Sequence, residues 1–241
     1  MNHDHHQIEE DAARQSASIT PPLPRGSSGW PGRLRLWNLL RIPVRWFCST
    51  WIRVTVSGTE HIDQTRGALL LVNHQSYLDP LLVGVWLDFP VSFLARDSLF
   101  RIPLLGMLLR NTGVIPISRS SARSGSIRAA VERLEAGTVV GIFPEGTRSS
   151  GTEPQRFRPG FLAVARRTEQ PVYPVGICGS DRAMPRGAFW VRPTRIHVSF
   201  GRPLSQELRE QINSNADDKA ICEEIRVLVA ELQNEGRKLL S

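Results

Sequence analysis

From Gly58 onward, short apolar runs alternate with longer stretches of helical spacing, and this alternation limits what the chain can fold into. The runs that we predict as strands cover residues 68–73, 91–95, 139–143, 172–177 and 195–200. The stretches that we predict as helices cover residues 77–87, 98–111, 122–136, 160–168 and 217–239. Such alternation is typical of an α/β domain with a mostly parallel sheet flanked by helices. Ligands of such sheets bind at the carboxyl ends of the strands.

The composition divides the 241-residue chain into three parts. Residues 1–32 are polar and rich in proline and glycine, which predicts a disordered tail. We interpret residues 33–56 as an amphipathic segment at a membrane interface, and residues 57–241 as a single domain. Eight acids against five bases follow from Glu207 onward, so the last helix is expected to be a solvated amphipathic lid.

The segment 33–56 contains five arginines, three tryptophans and no acidic residue. Arg41 and Arg45 interrupt its apolar residues, so it lacks the run of about 18 apolar residues that a membrane span requires. Tryptophan and arginine together are typical of segments that lie in the lipid interface. Pro43 is expected to divide the segment into two short helices. A helix packed on the domain's own core, or a single tilted span, are the alternatives.

The basicity of the chain comes almost entirely from arginine. The formal net charge is +7, and Lys219 and Lys238 are the only lysines. Arginine suits phosphate and membrane headgroups, although a GC-rich genome would also favour it. Nucleic acid is not an expected partner, because no recognition-helix pattern or aromatic RNA-binding motif is present. The scattered cysteines Cys48, Cys178 and Cys222 indicate neither a disulfide framework nor a metal cluster, so we expect a reducing compartment.

Two turns after predicted strands carry candidate chemistry. His74 and Asp79 follow the apolar run 68–72, where the carboxylate can fix the imidazole tautomer and leave the other ring nitrogen as a base. His74 could equally be an ordinary loop residue, and Asp79 could complete a capping box with Ser76. The pair lacks the third ligand of a catalytic zinc, so no metal is expected.

The second turn follows the run 139–143 and reads Pro144-Glu145-Gly146-Thr147-Arg148-Ser149. Gly146 allows the backbone to approach a ligand closely, and the hydroxyl of Thr147 can donate a hydrogen bond. Arg148 adds a charge-assisted contact, so this turn can bind phosphate oxygens. A base at one strand end and an anion site at another indicate chemistry on a phosphate-bearing alcohol.

Four blocks of residues, in order, carry a family resemblance. They are Asn73 with His74 and Asp79, the stretch from Gly113 to Arg119, the stretch from Phe143 to Ser149, and the stretch from Val172 to Gly176. On these blocks the chain resembles the glycerolipid acyltransferase family, most closely its 1-acylglycerol-3-phosphate acyltransferase branch. The resemblance covers roughly residues 55–205.

The resemblance implies transfer of a fatty acyl group from acyl-CoA or acyl carrier protein to the sn-2 hydroxyl of lysophosphatidic acid. His74 would be the general base, and Asp79 would orient it. The residues that the resemblance assigns to the phosphorylated acceptor are Arg119, Glu145, Gly146, Thr147 and Arg148. Because Glu145 would repel phosphate, we expect it to pair with an arginine or to reach the glycerol hydroxyls. No cofactor beyond the thioester is expected, and the protein would be monotopic or peripheral at the cytoplasmic face of a membrane.

The sequence leaves two other functions open. The acceptor could be glycerol 3-phosphate, another lysophospholipid or a lyso-aminolipid, because the same four blocks serve all of these. A non-catalytic protein that binds anionic lipid through residues 33–56 is the other alternative. The pair of His74 and Asp79 argues against such a protein, since a lipid-binding protein needs no base.

Overall fold

The computed structural model describes residues 30–63, 65–101, 106, 109, 114–117, 123–149, 153–188, 190–214 and 217–241. Residues 1–29 of the predicted disordered tail lie outside the described residues. The last residues of that predicted tail, 30–32, instead begin the first helix.

The core of the fold is a seven-stranded sheet. Its strands are β1 (Val54–Ser57), β2 (Ala68–Val72), β3 (Val91–Arg96), β4 (Ile115–Ile117), β5 (Val139–Ile142), β6 (Val172–Cys178) and β7 (Ile196–Phe200). The strand order is β1-β7-β6-β2-β5-β3-β4, and every neighbouring pair is parallel except β6 with β7. The mostly parallel sheet and the five predicted strands are therefore confirmed, each strand to within one residue.

Seven α-helices occur in the described part of the chain. They are α1 (Trp30–Thr50), α2 (Asp79–Gly84), α3 (Arg123–Glu135), α4 (Leu162–Ala165), α5 (Ser180–Ala183), α6 (Gln206–Asn213) and α7 (Asp218–Leu240). Short 3₁₀ helices cover Thr59–His61, Asp97–Arg101 and Pro159–Phe161. The helices predicted over 77–87 and 160–168 are present but shorter. The helix predicted over 98–111 begins with the 3₁₀ helix, and most of its remainder lies outside the described residues.

The sheet is buried on both faces, which makes a three-layer α/β/α domain. Leu69 and Leu71 of β2 point to one apolar cluster, and Leu70 and Val72 point to the other. Buried residues of α1, α2 and α5 belong to the cluster around Leu70, while those of α3, α4, α6 and α7 belong to the cluster around Leu69. All five residues of β2 are buried, which explains its unbroken apolar run.

The last helix, α7, is part of the core, and the prediction of a solvated lid was wrong. Ile221, Ile225 and Val229 are fully or almost fully buried against the sheet. The charged residues of α7 lie mostly on its other face, which accounts for the acidic count in the sequence. The side chain of Asp217 caps the helix start by accepting a hydrogen bond from the backbone N–H of Lys219 at 2.8 Å.

Two expectations for the segment 33–56 were also wrong. Pro43 lies inside one continuous helix, α1, and does not divide it. Proline removes one helical hydrogen bond, but Pro43 is exposed, so water can solvate the carbonyl that loses its partner. The boundary at residue 57 would cut through β1, whose Val54 is buried in the core. The α/β domain therefore includes β1.

One face of α1 packs on the domain. Cys48 is fully buried, and Val44 packs against the same cluster. Nη1 of Arg41 donates to the carbonyl of Leu87 at 2.8 Å and lies 3.0 Å from Oδ1 of Asp88. The interpretation of this helix as one packed on the core is therefore correct for this face.

The other face of α1 exposes an apolar stripe at helical spacing. Leu39, Ile42 and Trp46 are 69%, 66% and 70% exposed. Such exposure across one helix face is typical of an interaction surface. None of the helices in the described ranges is both long and apolar enough to span a bilayer.

Candidate active site

Asn73 fixes the end of β2 from which the site begins. Its side-chain amide donates to the carbonyl of Ile177 at 2.9 Å and accepts from the backbone N–H of the same residue at 2.7 Å. The amide therefore continues the pairing of β2 with β6 for one more residue. Because Asn73 is buried, these two bonds fix where the chain leaves the sheet and turns into the loop of His74.

The structure brings His74 and Asp79 together as predicted. Nδ1 of His74 lies 2.9 Å from Oδ2 of Asp79, and the carboxylate is fully buried. A carboxylate accepts hydrogen bonds, so this contact places the ring proton on Nδ1 and leaves the lone pair on Nε2. The ring keeps 18% of its side-chain surface exposed, which gives a ligand access to it.

The same carboxylate oxygen also holds the turn in shape. Oδ2 of Asp79 accepts from the backbone N–H groups of Gln75 and Ser76 at 2.6 and 2.7 Å. The hydroxyl of Ser76 accepts from the N–H of Leu78 at 3.3 Å, just before α2 begins. One oxygen of Asp79 therefore serves both the backbone of this turn and the imidazole. The helix begins at Asp79 with Leu78 as its N-cap, so Ser76 is not the N-cap that the predicted capping box requires.

A stack of aromatic rings supports the imidazole from the side. The rings of His74 and Phe143 are stacked with centroids 4.1 Å apart, and Phe143 in turn stacks on Phe93 at 5.1 Å. Gly141 makes room for this stack, because a Cβ at that position would overlap the ring of Phe93. The sequence motif contained Phe143 but gave no indication that its ring contacts the histidine.

Glu145 links the two turns, and backbone N–H groups occupy both oxygens of its carboxylate. Oε1 accepts from the backbone N–H of His74 at 2.7 Å, and Oε2 accepts from that of Gln155 at 3.0 Å. The expectation that Glu145 pairs with an arginine or reaches glycerol hydroxyls is therefore corrected. Glu145 is 2% exposed, and this burial raises the pKa of its carboxyl while the two backbone hydrogen bonds lower it in part.

A further backbone hydrogen bond ties the turn of Arg148 to the turn of His74. The N–H of Ser149 donates to the carbonyl of His74 at 2.6 Å. Together with Glu145, this bond places the end of β5 beside the end of β2, as their parallel pairing allows.

Gly146, Thr147 and Arg148 form the edge of the site. Gly146 has φ of +69° and is exposed, a conformation that favours glycine. The guanidinium of Arg148 lies 3.7 Å over the ring of Tyr77. Its Nη1 is buried yet makes no hydrogen bond to the part of the chain that the structure describes. A buried charged donor that lacks a hydrogen-bond partner is suited to binding an anion.

Two other arginines bear on this edge. Arg119, which the resemblance assigned to the acceptor, lies outside the described residues. Arg186 was not singled out from the sequence, yet its Nη2 donates to the carbonyl of Arg148 at 2.6 Å and lies 3.4 Å from Oγ1 of Thr147. An isolated arginine 38 residues downstream carried no signal of this contact.

The described part of the chain offers neither a metal-binding cluster nor an exposed thiol. Among the described residues, no group of three or more His, Cys, Asp or Glu is placed to hold a metal ion. The three cysteines are buried free thiols, and burial raises the pKa of Cys48 and Cys222 to about 11. Such thiols are poor nucleophiles at neutral pH.

The geometry suits removal of a proton from a hydroxyl bound at Nε2 of His74. The buried carboxylate of Asp79 can stabilise the imidazolium that forms, as in other histidine–carboxylate pairs. The nearby cationic edge can hold an anionic group of the molecule that carries the hydroxyl. The arrangement is thus suited to general-base chemistry on an anionic alcohol.

The chain is similar in sequence to known proteins. The chain is 34% identical over 132 residues to a 1-acyl-sn-glycerol-3-phosphate acyltransferase of Borreliella burgdorferi, covering 54% of this chain and 53% of that one. It is 29% identical over 183 residues to a chloroplastic 1-acyl-sn-glycerol-3-phosphate acyltransferase of Arabidopsis thaliana, covering 74% of this chain and 49% of that one. The chain therefore spans about half the length of these two relatives.

The fold also has a counterpart among solved structures. The 1-acyl-sn-glycerophosphate acyltransferase PlsC of Thermotoga maritima superposes with a TM-score of 0.68 at 21% identity, covering 96% of this chain and 89% of that chain. A family model described as Acyltransferase matches residues 53–178, which is more than half of the chain and contains His74, Asp79 and the turn of Arg148. The resemblance that the four sequence blocks indicated is confirmed, and the chain belongs to the glycerolipid acyltransferase family.

Proposed function

We propose that the chain is a 1-acylglycerol-3-phosphate O-acyltransferase that forms phosphatidic acid. His74 takes the proton of the acceptor's sn-2 hydroxyl while the hydroxyl oxygen attacks the thioester carbonyl. The carbon–sulfur bond then breaks, and the departing thiolate takes the proton back from the imidazolium. Asp79 orients His74 and stabilises its cationic form during these steps.

The observation that carries this proposal is the contact of 2.9 Å between Nδ1 of His74 and Oδ2 of Asp79 at the end of a buried parallel strand. It leaves Nε2 as a base beside the turn that holds Arg148. General-base catalysis contributes about 10²–10⁴-fold. Positioning of the two substrates must supply much of the remaining rate enhancement.

The edge of Gly146, Thr147 and Arg148 supports a phosphorylated acceptor. The buried Nη1 of Arg148 has no partner in the described part of the chain, and the phosphate of the acceptor can supply one. The exposed apolar stripe of α1 favours an acceptor that resides in a membrane over water-soluble glycerol 3-phosphate. The names of the two sequence relatives agree with lysophosphatidic acid as that acceptor.

The proposal includes a membrane surface and a thioester carrier as partners. The stripe of Leu39, Ile42 and Trp46 would lie in the lipid interface of the cytoplasmic face, as a peripheral or monotopic contact. Three free cysteines suit the reducing side of that membrane. Acyl-CoA and acyl carrier protein are both suitable donors, and no further cofactor takes part in the reaction.

A thioester-release assay on the purified full chain tests the function. Thiol should be released from acyl-CoA or acyl carrier protein only when lysophosphatidic acid is present, with phosphatidic acid as the second product. Glycerol 3-phosphate and lysophosphatidylcholine serve as competing acceptors. Faster transfer to either of them would show that this molecule, and not lysophosphatidic acid, is the acceptor. If no acceptor causes thiol release, the result would indicate a non-catalytic lipid-binding protein.

A further inference from the structure

A loop outside the sequence motifs exposes a tryptophan to solvent. Trp190 is 84% exposed, more than any other large apolar side chain in the described part of the chain. We call residues 184–188 and 190–195 the Trp190 loop. Its arginines are all exposed: Arg186, Arg192 and Arg195. The stretch 184–195 contains no acidic residue, so the loop is a cationic surface with an aromatic side chain at its centre.

The Trp190 loop is fixed beside the end of α1. Nε1 of Trp51, directly after that helix, donates to the carbonyl of Val191 at 2.9 Å. The N–H of Arg192 donates to the carbonyl of Ala183 at 2.8 Å. Trp51 is itself 49% exposed. These two bonds hold in place the residues that follow Trp190, and the first of them joins the loop to the exposed tryptophan at the end of α1.

The same loop contacts both turns of the active site. The hydroxyl of Ser76 donates to the carbonyl of Met184 at 3.1 Å. Arg186 donates to the carbonyl of Arg148 at 2.6 Å. The loop thus runs from the turn of His74, past the turn of Arg148, to the end of α1. Whatever surface Trp190 contacts will lie next to the edge where the acceptor's phosphate is held.

This combination matches the chemistry of an anionic lipid surface. Tryptophan is enriched where bilayer and water meet, because one part of its ring system is apolar and its N–H is polar. Arginine side chains extend their charged ends toward headgroups and attract anionic lipids. Trp190 does not stand alone, because the half-exposed Trp51 is hydrogen-bonded to the residue that follows it and exposed arginines lie on both sides of it.

We propose that the Trp190 loop is a second membrane contact, in which Trp190 enters the interface of an anionic bilayer and the neighbouring arginines bind its headgroups. This inference rests on the proposed function for the identity of the surface. The first contact is the stripe on α1. Arg186 joins the loop to the turn of Arg148. Docking of the loop therefore places the phosphate site at the depth of the lipid headgroups, where the phosphate of the acceptor lies.

Vesicle binding of the full chain tests the proposal. The probes are vesicles of phosphatidylcholine with phosphatidylglycerol, and vesicles of phosphatidylcholine alone. Trp190→Ala should weaken binding to the anionic vesicles about tenfold or more, while Trp190→Phe should recover most of it. Arg192→Gln with Arg195→Gln should reduce the preference for anionic vesicles. Leu239→Ala is the matched control, because Leu239 is 68% exposed on α7, and it should bind like the wild type.

The acceptor's physical state provides the second measurement. Trp190→Ala should lose activity toward lysophosphatidic acid embedded in vesicles, and should keep wild-type activity toward a dispersed short-chain acceptor. Unchanged vesicle binding in Trp190→Ala overturns the inference. The inference is also overturned if Trp190→Ala changes self-association in sedimentation but not vesicle binding, because the loop would then be a protein interface. Absence of thioester release by the wild type with every acceptor would count against the proposed function and leave the vesicle-binding result to stand separately.

Discussion

The imidazole of His74 lies against the phenyl ring of Phe143, with ring centroids 4.1 Å apart and ring planes at 22°. Asp79 holds the same imidazole at its edge through Nδ1, so the ring is fixed in two directions. The ring that supports it comes from the strand end that also supplies Glu145. The two turns of the site therefore form a single unit, and changes in one should be measurable in the chemistry of the other.

His74→Ala should abolish acyl transfer, because it removes the ring nitrogen that takes the hydroxyl proton in the proposed reaction. Loss of a general base predicts a fall in kcat of about 10²–10⁴-fold. Asp79→Asn should also be severe, since an amide supports an imidazolium less well and would bring its own N–H groups toward the backbone donors of the turn. Thiol release measures both variants, and circular dichroism checks the fold. Retention of more than about a tenth of the activity in His74→Ala would refute the role of His74.

Phe143→Leu should slow catalysis without abolishing it. Leucine keeps most of the apolar volume but removes the ring stack, which is worth about 0.5–1.5 kcal/mol, or about 2- to 12-fold in kcat. Gly141→Ala should act in the same direction, because its methyl group would displace Phe93 and with it Phe143. Leu81→Ala, at a partly exposed position of α2, is the control. Wild-type kcat in both Phe143→Leu and Gly141→Ala would show that the stack does not position the base.

Arg148→Ala should impair use of the acceptor. Loss of a charge-assisted contact costs about 1.5–3 kcal/mol, which corresponds to about 10- to 150-fold in kcat/KM for the acceptor. The KM for the thioester should change little. Tyr77→Phe preserves the ring under the guanidinium and serves as the control, whereas Tyr77→Ala removes it and should give an intermediate loss. A defect confined to the thioester's KM would contradict the assignment of Arg148 to the phosphate.

Glu145 should make the free energy of unfolding depend on pH. Burial raises the pKa of the folded-state carboxyl above its ordinary value of 4.5, so folding favours the protonated form. Its contribution to stability is full below pH 4.5 and is lost as the pH rises through the raised pKa. Urea unfolding across this range should show the wild type losing stability relative to Glu145→Gln, whose amide does not titrate.

Glu145→Gln should also lower the free energy of unfolding at every pH. The amide of Glu145→Gln has only one oxygen for two backbone donors, and leaving one donor without a partner costs about 1–3 kcal/mol. Glu235→Gln, at an exposed position of α7, should follow the wild-type profile. A profile of Glu145→Gln that is parallel to that of the wild type would show that the carboxyl does not titrate differently on folding.

The contact of His74 with Asp79 was predictable from the sequence, and several contacts around it were not. The buried strands and the pair of His74 and Asp79 follow from local patterns, namely apolar runs and the turn after them. The contacts of Glu145 with two backbone donors and of Arg186 with Arg148 depend on which turns meet in space, and local spacing does not contain that information. The role of α7 was misread because its charges outnumber the apolar residues that pack on the sheet.

The edges of the sheet were harder to predict for a physical reason. β1 has only four residues in which apolar and polar side chains can alternate. It follows a segment whose arginines and tryptophans dominate the sequence pattern. β4 is only three residues long and includes Pro116, as suits an edge strand. Short edge strands bury little apolar surface of their own, so their composition differs little from that of a loop.

The exposed stripe on α1 allows a sharper test of membrane docking than its arginines do. Arg41 donates to the carbonyl of Leu87, and Arg45 lies 4.9 Å over the ring of Trp86, so reversing either charge would disturb the packing of the helix as well. Ile42 and Trp46 are 66% and 70% exposed, and replacing both with serine should leave the thermal midpoint nearly unchanged.

Ile42→Ser with Trp46→Ser should therefore release the protein from vesicles while preserving its fold. Full burial of each side chain in lipid contributes about 1.5–3 kcal/mol, so loss of two should weaken binding by at least about 100-fold. Vesicle co-sedimentation measures this, and Val227→Ser, 40% exposed on α7, is the control. High salt should also release part of the wild type, because the arginine contribution is screened. Vesicle binding of the double variant equal to that of the wild type, in both low and high salt, would rule out α1 as the docking face.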